Sequence, residues 1–236
     1  MSLSRFPIFL FFIFLLSLQN LFSFSEPSGI TINRETGFYY VIGDEGHIYE
    51  MDENLNILRT VFLGSFDLEA IAFDHVRKTL FCLNERDLSL IEIDPQSFNI
   101  LKFYPLELEK VKKRKFSQFE SLTIVDGLFY LATSTTKKKK QFGSLFSYNL
   151  ENNEMIYLID LPMWDISGLS YGNGYFYLIS DDEDKIARYS IESDDFTSIN
   201  LPGDHQEGIV FTPDNTLRIY DEDGTTFEIT IDLFNE

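Results

Sequence analysis

Ser28-Gly29-Ile30-Thr31, Glu69-Ala70-Ile71-Ala72, Glu120-Ser121-Leu122-Thr123, Ser167-Gly168-Leu169-Ser170 and Glu207-Gly208-Ile209-Val210 are five copies of one short pattern. Each opens on Ser or Glu, continues with a tiny residue and then an aliphatic one. Successive copies begin 41, 51, 47 and 40 residues apart. Self-similarity at such a period marks the four-stranded blades of a β-propeller. Each copy reads as the start of a blade's first strand, and the rest of each blade repeats as well.

After a turn comes an aromatic-rich strand: Phe38 to Ile42, Leu80 to Leu83, Leu128 to Leu131, Tyr175 to Ile179 and Leu217 to Tyr220. Aromatic and β-branched runs bounded by Gly, Asn, Asp and Thr are strand signals. The turns fall at Glu35-Thr36-Gly37, Asp126-Gly127, Gly172-Asn173-Gly174 and Pro213-Asp214-Asn215, residues that favour tight reversals. A third strand alternates, as in His47 to Met51 and Leu88 to Ile93, and a fourth comes next at Ile57 to Phe62 and Phe98 to Tyr104. Nothing after the N-terminal region keeps a 3.6-residue period beyond three turns, so helices are not expected. The fold class predicted is all-β, a five-bladed β-propeller over residues 26–236 with mostly four-stranded blades. A sandwich is the rival, but it leaves the regular return of one signature unexplained.

Residues 1–25 read differently. Arg5 is the only charge before Glu26, and Pro7 to Leu18 is an apolar run shorter than the ~20 residues a spanning helix needs. With Ser23 and Ser25 as small residues at −3 and −1, this is the pattern of a secretory signal peptide, cleaved between residues 19 and 25. An uncleaved anchor is the alternative. Export to a periplasmic or cell-envelope location is the expectation. The fifth blade ends soon after its third strand. Either Leu21 to Ser25 completes it, which requires cleavage nearer Gln19, or it has three strands.

Composition bounds the partners. A hydrophobic fraction of 44% with 16% aromatics means a folded globule, expected as a monomer. A formal charge of −19 excludes nucleic acid as a general partner, because phosphate binding needs a basic surface. It suits divalent cations, basic partners or plain solubility. Cys82 is the only cysteine and reads as a small core residue.

In a propeller, first strands line the axis and run down from the top face, and second strands run back up. First-strand starts and second-strand ends then meet at the top. That gathers Ser28, Glu69, Glu120, Ser167 and Glu207 at the axis. Around them come Asp44, Glu85, Thr133, Asp181 and Glu222, with Glu45, Asp182 and Asp221 beside them. Carboxylates so close raise one another's pKa or take a counter-ion, and oxygen donors suit Ca²⁺. A Ca²⁺ ion at Glu69, Glu120 and Glu207 is one reading; a water-filled acidic channel tied to backbone amides is the other. Lys110, Lys112, Lys113, Arg114 and Lys115, and then Lys137, Lys138, Lys139 and Lys140, form two basic segments on the same face. They are either solvated loops or a basic rim for an anionic small molecule, polymer, protein or membrane surface. His47 and His205 are expected in top-face loops and His75 in a turn at the opposite face. His205, two residues before Glu207, is the candidate general acid or base, or else part of a polar turn. Trp164 is expected to pack. No nucleophile elbow, zinc motif or phosphate loop occurs.

The chain resembles the SdiA-regulated (YjiK-like) bacterial propeller family. The resemblance rests on Pro27-Ser28-Gly29-Ile30, Ile42-Gly43-Asp44-Glu45-Gly46 with Ile48-Tyr49-Glu50-Met51-Asp52, and Asp67-Leu68-Glu69-Ala70-Ile71-Ala72. Phe119-Glu120-Ser121-Leu122, Ile166-Ser167-Gly168-Leu169, Ile179-Ser180-Asp181-Asp182 and Gln206-Glu207-Gly208-Ile209 continue it in the same order. It implies a periplasmic or membrane-associated propeller, distantly similar to propeller phytases and Ca²⁺-dependent lactonases and phosphotriesterases. In those lactonases a strand-opening Glu followed by Gly is a metal ligand, which points to Glu207 and less directly to Glu69 and Glu120. The chain departs from them in blade number and in lacking recognisable partner Asn and Asp ligands. The expected function is an exported ligand- or partner-binding module with a Ca²⁺-stabilised acidic channel. The alternative is a Ca²⁺-dependent hydrolase of phosphoesters or lactones.

Overall fold

The computed structural model describes residues 27–43, 45–107, 118–134, 142–203 and 205–235. Blade 1 is β1 (Pro27–Asn33), β2 (Phe38–Gly43), β3 (His47–Met51) and β4 (Ile57–Phe62). Blade 2 is β5 (Leu68–Asp74), β6 (Thr79–Asn84), β7 (Ser89–Ile93) and β8 (Ile100–Pro105). Blade 3 is β9 (Gln118–Val125), β10 (Leu128–Ser134), β11 (Ser144–Asn149) and β12 (Glu154–Asp160). Blade 4 is β13 (Ile166–Gly172), β14 (Tyr175–Ser180), β15 (Lys185–Ser190) and β16 (Asp195–Asn200), and blade 5 is β17 (Gln206–Phe211), β18 (Thr216–Asp221) and β19 (Thr226–Thr230). Each sheet is antiparallel with strands in chain order. The innermost strands touch in sequence, β1 on β5, β5 on β9, β9 on β13 and β13 on β17, and β17 closes the ring on β1. The five-bladed propeller read from the signature is the fold.

Among the described residues the fifth blade has three strands. Leu21 to Ser25, the other candidate for closing it, lie outside the described residues, as does the rest of the signal segment. After β19 a 3₁₀-helix (Ile231–Asn235) turns back towards blade 4, where Phe234 lies 5.9 Å from the Tyr177 ring. The Arg188 guanidinium donates to the Phe234 carbonyl at 3.3 Å. Among the described residues no helix is long and apolar enough to cross a membrane.

The core sits between blades. One apolar cluster fills each junction, for example Phe81, Phe129 and Phe146 between blades 2 and 3 and Tyr177, Ile209 and Phe211 between blades 4 and 5. Phe81 and Phe129 meet edge to face at 4.7 Å, and Tyr177 stacks on Phe211 at 5.6 Å. Burying each such side chain is worth about 1.5–3 kcal/mol, so adjacent sheets are held face to face. Cys82 is one of these core residues, and burial pushes its thiol well above the ordinary range. The turns obey their chemistry: at Asp126-Gly127 and Asn173-Gly174 both residues have positive φ, as two-residue hairpins require.

The tiny second position of the signature has a packing cause. A Cβ on Gly208 would lie 3.1 Å from Ile30 of blade 1, and one on Gly168 would lie 3.0 Å from Ile209 of blade 5. At these two junctions the next blade's third-position aliphatic sits against bare backbone, while Ala70 and Ser121 hold the position in blades 2 and 3. Ile30, Ile71, Leu122, Leu169 and Ile209 draw together until the enclosed space is only about 10 Å³, roughly room for one water. At this level the axis narrows to that space.

Candidate functional site

Every innermost strand is interrupted at its first signature position. Pro27 pairs with Gly43 and Gly29 with Ile42, leaving Ser28 unpaired between them. Glu69, Glu120, Ser167 and Glu207 are skipped in the same way. A β-bulge adds a residue to one strand and re-aims its side chain. Repeated in all five blades, it sets five first-position residues at equivalent points around the axis.

Serine and glutamate use that point differently. The Ser28 hydroxyl donates to the Leu68 carbonyl of blade 2, and the Ser167 hydroxyl donates to the Gln206 carbonyl of blade 5, each at 2.5 Å. The glutamates instead feel one another. Burial pushes the Glu120 carboxyl up to about 8, with repulsion from Asp165, Glu69 and Glu85 adding to it. Burial likewise pushes Glu207 up to about 9, with Asp181, Glu120, Glu69 and Glu222 adding repulsion. Withdrawn from water and facing other carboxylates, these groups hold protons that an exposed glutamate would release.

The tightest acidic grouping among the described residues is Asp67, Glu69 and Glu85, each offering an oxygen within 4.8 Å of the others. It belongs to blade 2 alone: Glu69 is the bulged second residue of β5, Asp67 directly precedes that strand, and Glu85 comes directly after β6. The cross-axis set Glu69, Glu120 and Glu207 interacts electrostatically but does not form that close trio. One Glu85 oxygen is fully buried without a hydrogen bond. An all-oxygen donor set of this kind fits a hard divalent cation.

On the opposite side of the mouth, His205 Nδ1 lies 2.9 Å from an Asp181 carboxylate oxygen. His205 has a positive φ of 60° and its side chain is 57% exposed. Burial raises the Asp181 pKa, opposed by His205. Asp165 is raised by burial too, while the Ser134 hydroxyl donating to it favours its ionised form. Beside His205, Gln206 is fully buried with both side-chain amide atoms lacking a hydrogen bond.

Of the residues picked out by sequence, the structure brings Ser28, Glu69, Glu85, Glu120, Ser167, Asp181, Glu207 and Glu222 to this end of the propeller. Thr133 is there but buried, its hydroxyl accepting the Ser144 amide at 2.9 Å. His47 opens β3 rather than lying in a loop, with its ring 5.0 Å from Phe62. Trp164 packs against Phe142 at 5.5 Å, and its amide donates to Glu183. Asp44, Lys112, Lys113, Arg114 and Lys137 to Lys140 lie outside the described residues, as do Lys110 and Lys115. Sequence reasoning passed over Asp67, Asp165 and Ser134. The first two had a signal: Asp67, Asp165 and His205 all stand two residues before the first signature position of their blades.

No family model matches the chain, and no curated protein matches it in sequence. Solved structures share its fold. A glutaminyl cyclase from Myxococcus xanthus superposes with a TM-score of 0.67 at 12% identity, covering 86% of this chain and 89% of that one. A chain of a nidogen/laminin complex superposes at 0.62 and 10% identity, covering 89% and 78%. A luciferin-regenerating enzyme superposes at 0.61 and 13% identity, covering 88% and 73%. At these identities the likeness is one of architecture, which does not confer activity.

Proposed function

We propose that this chain is a Ca²⁺-binding propeller module that presents the cation at its glutamate-rich face to an anionic small molecule, polymer or protein. The observation that carries the reading is the trio Asp67, Glu69 and Glu85, with oxygens within 4.8 Å of one another, set beside the half-buried Glu120 and Glu207. Asp67, Glu69 and Glu85 would hold the ion. Glu120 and Glu207 would supply further negative charge across the axis, releasing protons as it binds. Bound there, the cation supplies an electrostatic anchor for an anionic group. Kinship with the SdiA-regulated propellers, supported by the order and spacing of the motifs, and export behind the N-terminal apolar segment belong to the same proposal. So does contact of the basic segments with an anionic membrane surface.

The test is thermal unfolding of EDTA-stripped protein at pH 8 with and without Ca²⁺. At a free concentration about a hundredfold above Kd the melting temperature should rise by roughly 5–10 °C. Glu69→Gln should lose most of that rise. An unchanged melting temperature across millimolar Ca²⁺ would reject the ion site.

One observation favours a second reading, a hydrolase of phosphoesters or lactones. The His205–Asp181 pair at 2.9 Å is a base with an orienting carboxylate, next to Glu207. Turnover of a phosphodiester, a lactone or phytate that requires Ca²⁺ and is lost in His205→Asn would establish it.

A further inference from the structure

At the end of the axis away from the glutamates lies a cavity of about 310 Å³, near the lower bound of ~300 Å³ for small-molecule sites. The ring of close-packed aliphatics separates it from the acidic mouth. Its inner end is built from the fourth signature position of every blade, Thr31, Ala72, Thr123, Ser170 and Val210. Two of the hydroxyls already accept from the next blade, Thr31 from the Phe73 amide at 3.0 Å and Ser170 from the Phe211 amide at 2.8 Å. Each still carries its own proton to donate. The Phe73, Tyr171 and Phe211 rings line the walls.

The mouth carries the chemistry. Arg34 lines it in a chain of charge −19, yet Arg34 makes no ion pair with any described residue. Its guanidinium contacts are the Phe211 carbonyl at 3.5 Å and the Phe211 ring at 5.9 Å. His75 lines the same mouth, its ring edge-on to Phe73 at 5.0 Å. Burial lowers the pKa of His75, and the charges of Arg34 and Lys78 lower it further against Glu35 and Asp74. Two acids line the cavity as well: Asp74 is fully buried and committed to Arg77 at 2.9 Å and to the amides of Val76 and Arg77, and Asp126 stands in the turn between β9 and β10 of blade 3. The Arg34 guanidinium and the His75 ring at the mouth, aromatic walls and a hydroxyl-bearing floor offer an anion with an apolar body its partners, with Asp126 placing one negative charge on the blade 3 side.

We propose that this cavity binds a small organic carboxylate, with the carboxylate at Arg34 and His75 and the apolar body against Phe73, Tyr171 and Phe211. The site is separate from the cation site and exists whether or not the mouth on the other face binds Ca²⁺.

The test uses the full chain and phenylacetate as the probe, read at the His75 ring protons by NMR and by calorimetry. Phenylacetate should shift the His75 signal saturably and move its titration midpoint upward, because a bound anion favours the imidazolium. Arg34→Gln should bind about tenfold more weakly, and so should the uncharged phenylacetamide on the unsubstituted protein. Arg34 is exposed, so the variant keeps its fold, which circular dichroism verifies. A His75 signal unmoved at about 10 mM phenylacetate, or equal binding of phenylacetamide, would overturn the site. Inorganic phosphate binding as tightly as phenylacetate would overturn the assignment of an organic ligand.

Discussion

At the junctions of blade 1 with blade 2 and of blade 4 with blade 5, two hydroxyls tie neighbouring inner strands together. Ser28 and Ser167 donate to the carbonyls of Leu68 and Gln206, and Thr31 and Ser170 accept the amides of Phe73 and Phe211. At the other three junctions the residue equivalent to those serines is Glu69, Glu120 or Glu207. Both classes share the bulge, the tiny second residue and the apolar cluster; they differ at the first signature position and at the fourth, where Ala72, Thr123 and Val210 replace Thr31 and Ser170. A serine at the first position contributes a neutral hydrogen bond worth about 1 kcal/mol. An ionised glutamate cannot donate to a carbonyl, and burying its charge costs stability unless a proton or a cation neutralises it. Two junctions therefore serve cohesion, and three carry carboxyl groups whose ionisation costs cohesion.

The largest expected effect separates the classes by pH. Burial and neighbouring acids raise Glu120 to about 8 and Glu207 to about 9 from an ordinary value of 4.5. The native state then keeps protons that the unfolded chain releases, so stability is fully present below pH 4.5 and is lost as pH rises through 8 to 9. Each group contributes a slope of about 1.4 kcal/mol per pH unit inside its window. Without divalent cations, urea unfolding should show a loss of several kcal/mol between about pH 5 and pH 9. Glu120→Gln should flatten that decline and exceed the parent protein in stability at about pH 9. An identical decline in parent and variant would show that the glutamate junctions are not the source.

Smaller effects come from the hydroxyl junctions and carry no pH signature. Ser167→Ala leaves the Gln206 carbonyl without its donor in a fully buried residue. It should cost about 1–3 kcal/mol by urea unfolding at about pH 5 and pH 9 alike. Ser170→Ala, which strands the Phe211 amide, should fall at the lower end of the same range. A Ser167→Ala cost that changes with pH would erase the distinction between the two junction classes.

The parts of the molecule legible in the sequence are those that repeat. The signature recurs once per blade, so its period announced five sheets, and the Asp-Gly and Asn-Gly turns marked the hairpins between β9 and β10 and between β13 and β14. The convergence of Glu69, Glu120 and Glu207 came from that ring alone. The compact trio did not: the place of Asp67 two residues before the signature marks it as a recurring position, but the pattern does not say that the bulge at Glu69 brings it close to Asp67 and Glu85. The narrowing of the axis below the mouth was hidden for a related reason. The same Ile and Leu positions suit a wide channel or a narrow one, and only the spacing of the inner strands around the axis decides. The cavity at the far face was missed because its cation, Arg34, sits in a turn that reads as ordinary solvated sequence.

The convergence of half-buried carboxylates at the bulged positions is tested most directly by a carbon-13 carboxyl NMR titration of glutamate-labelled, cation-free protein, with Glu120→Gln and Glu207→Gln providing assignments. Two resonances titrating near pH 8 and pH 9, each moving to a lower midpoint when the other glutamate is replaced, are the predicted result. All glutamates titrating in the ordinary range around 4.5, each indifferent to the other's removal, would contradict it.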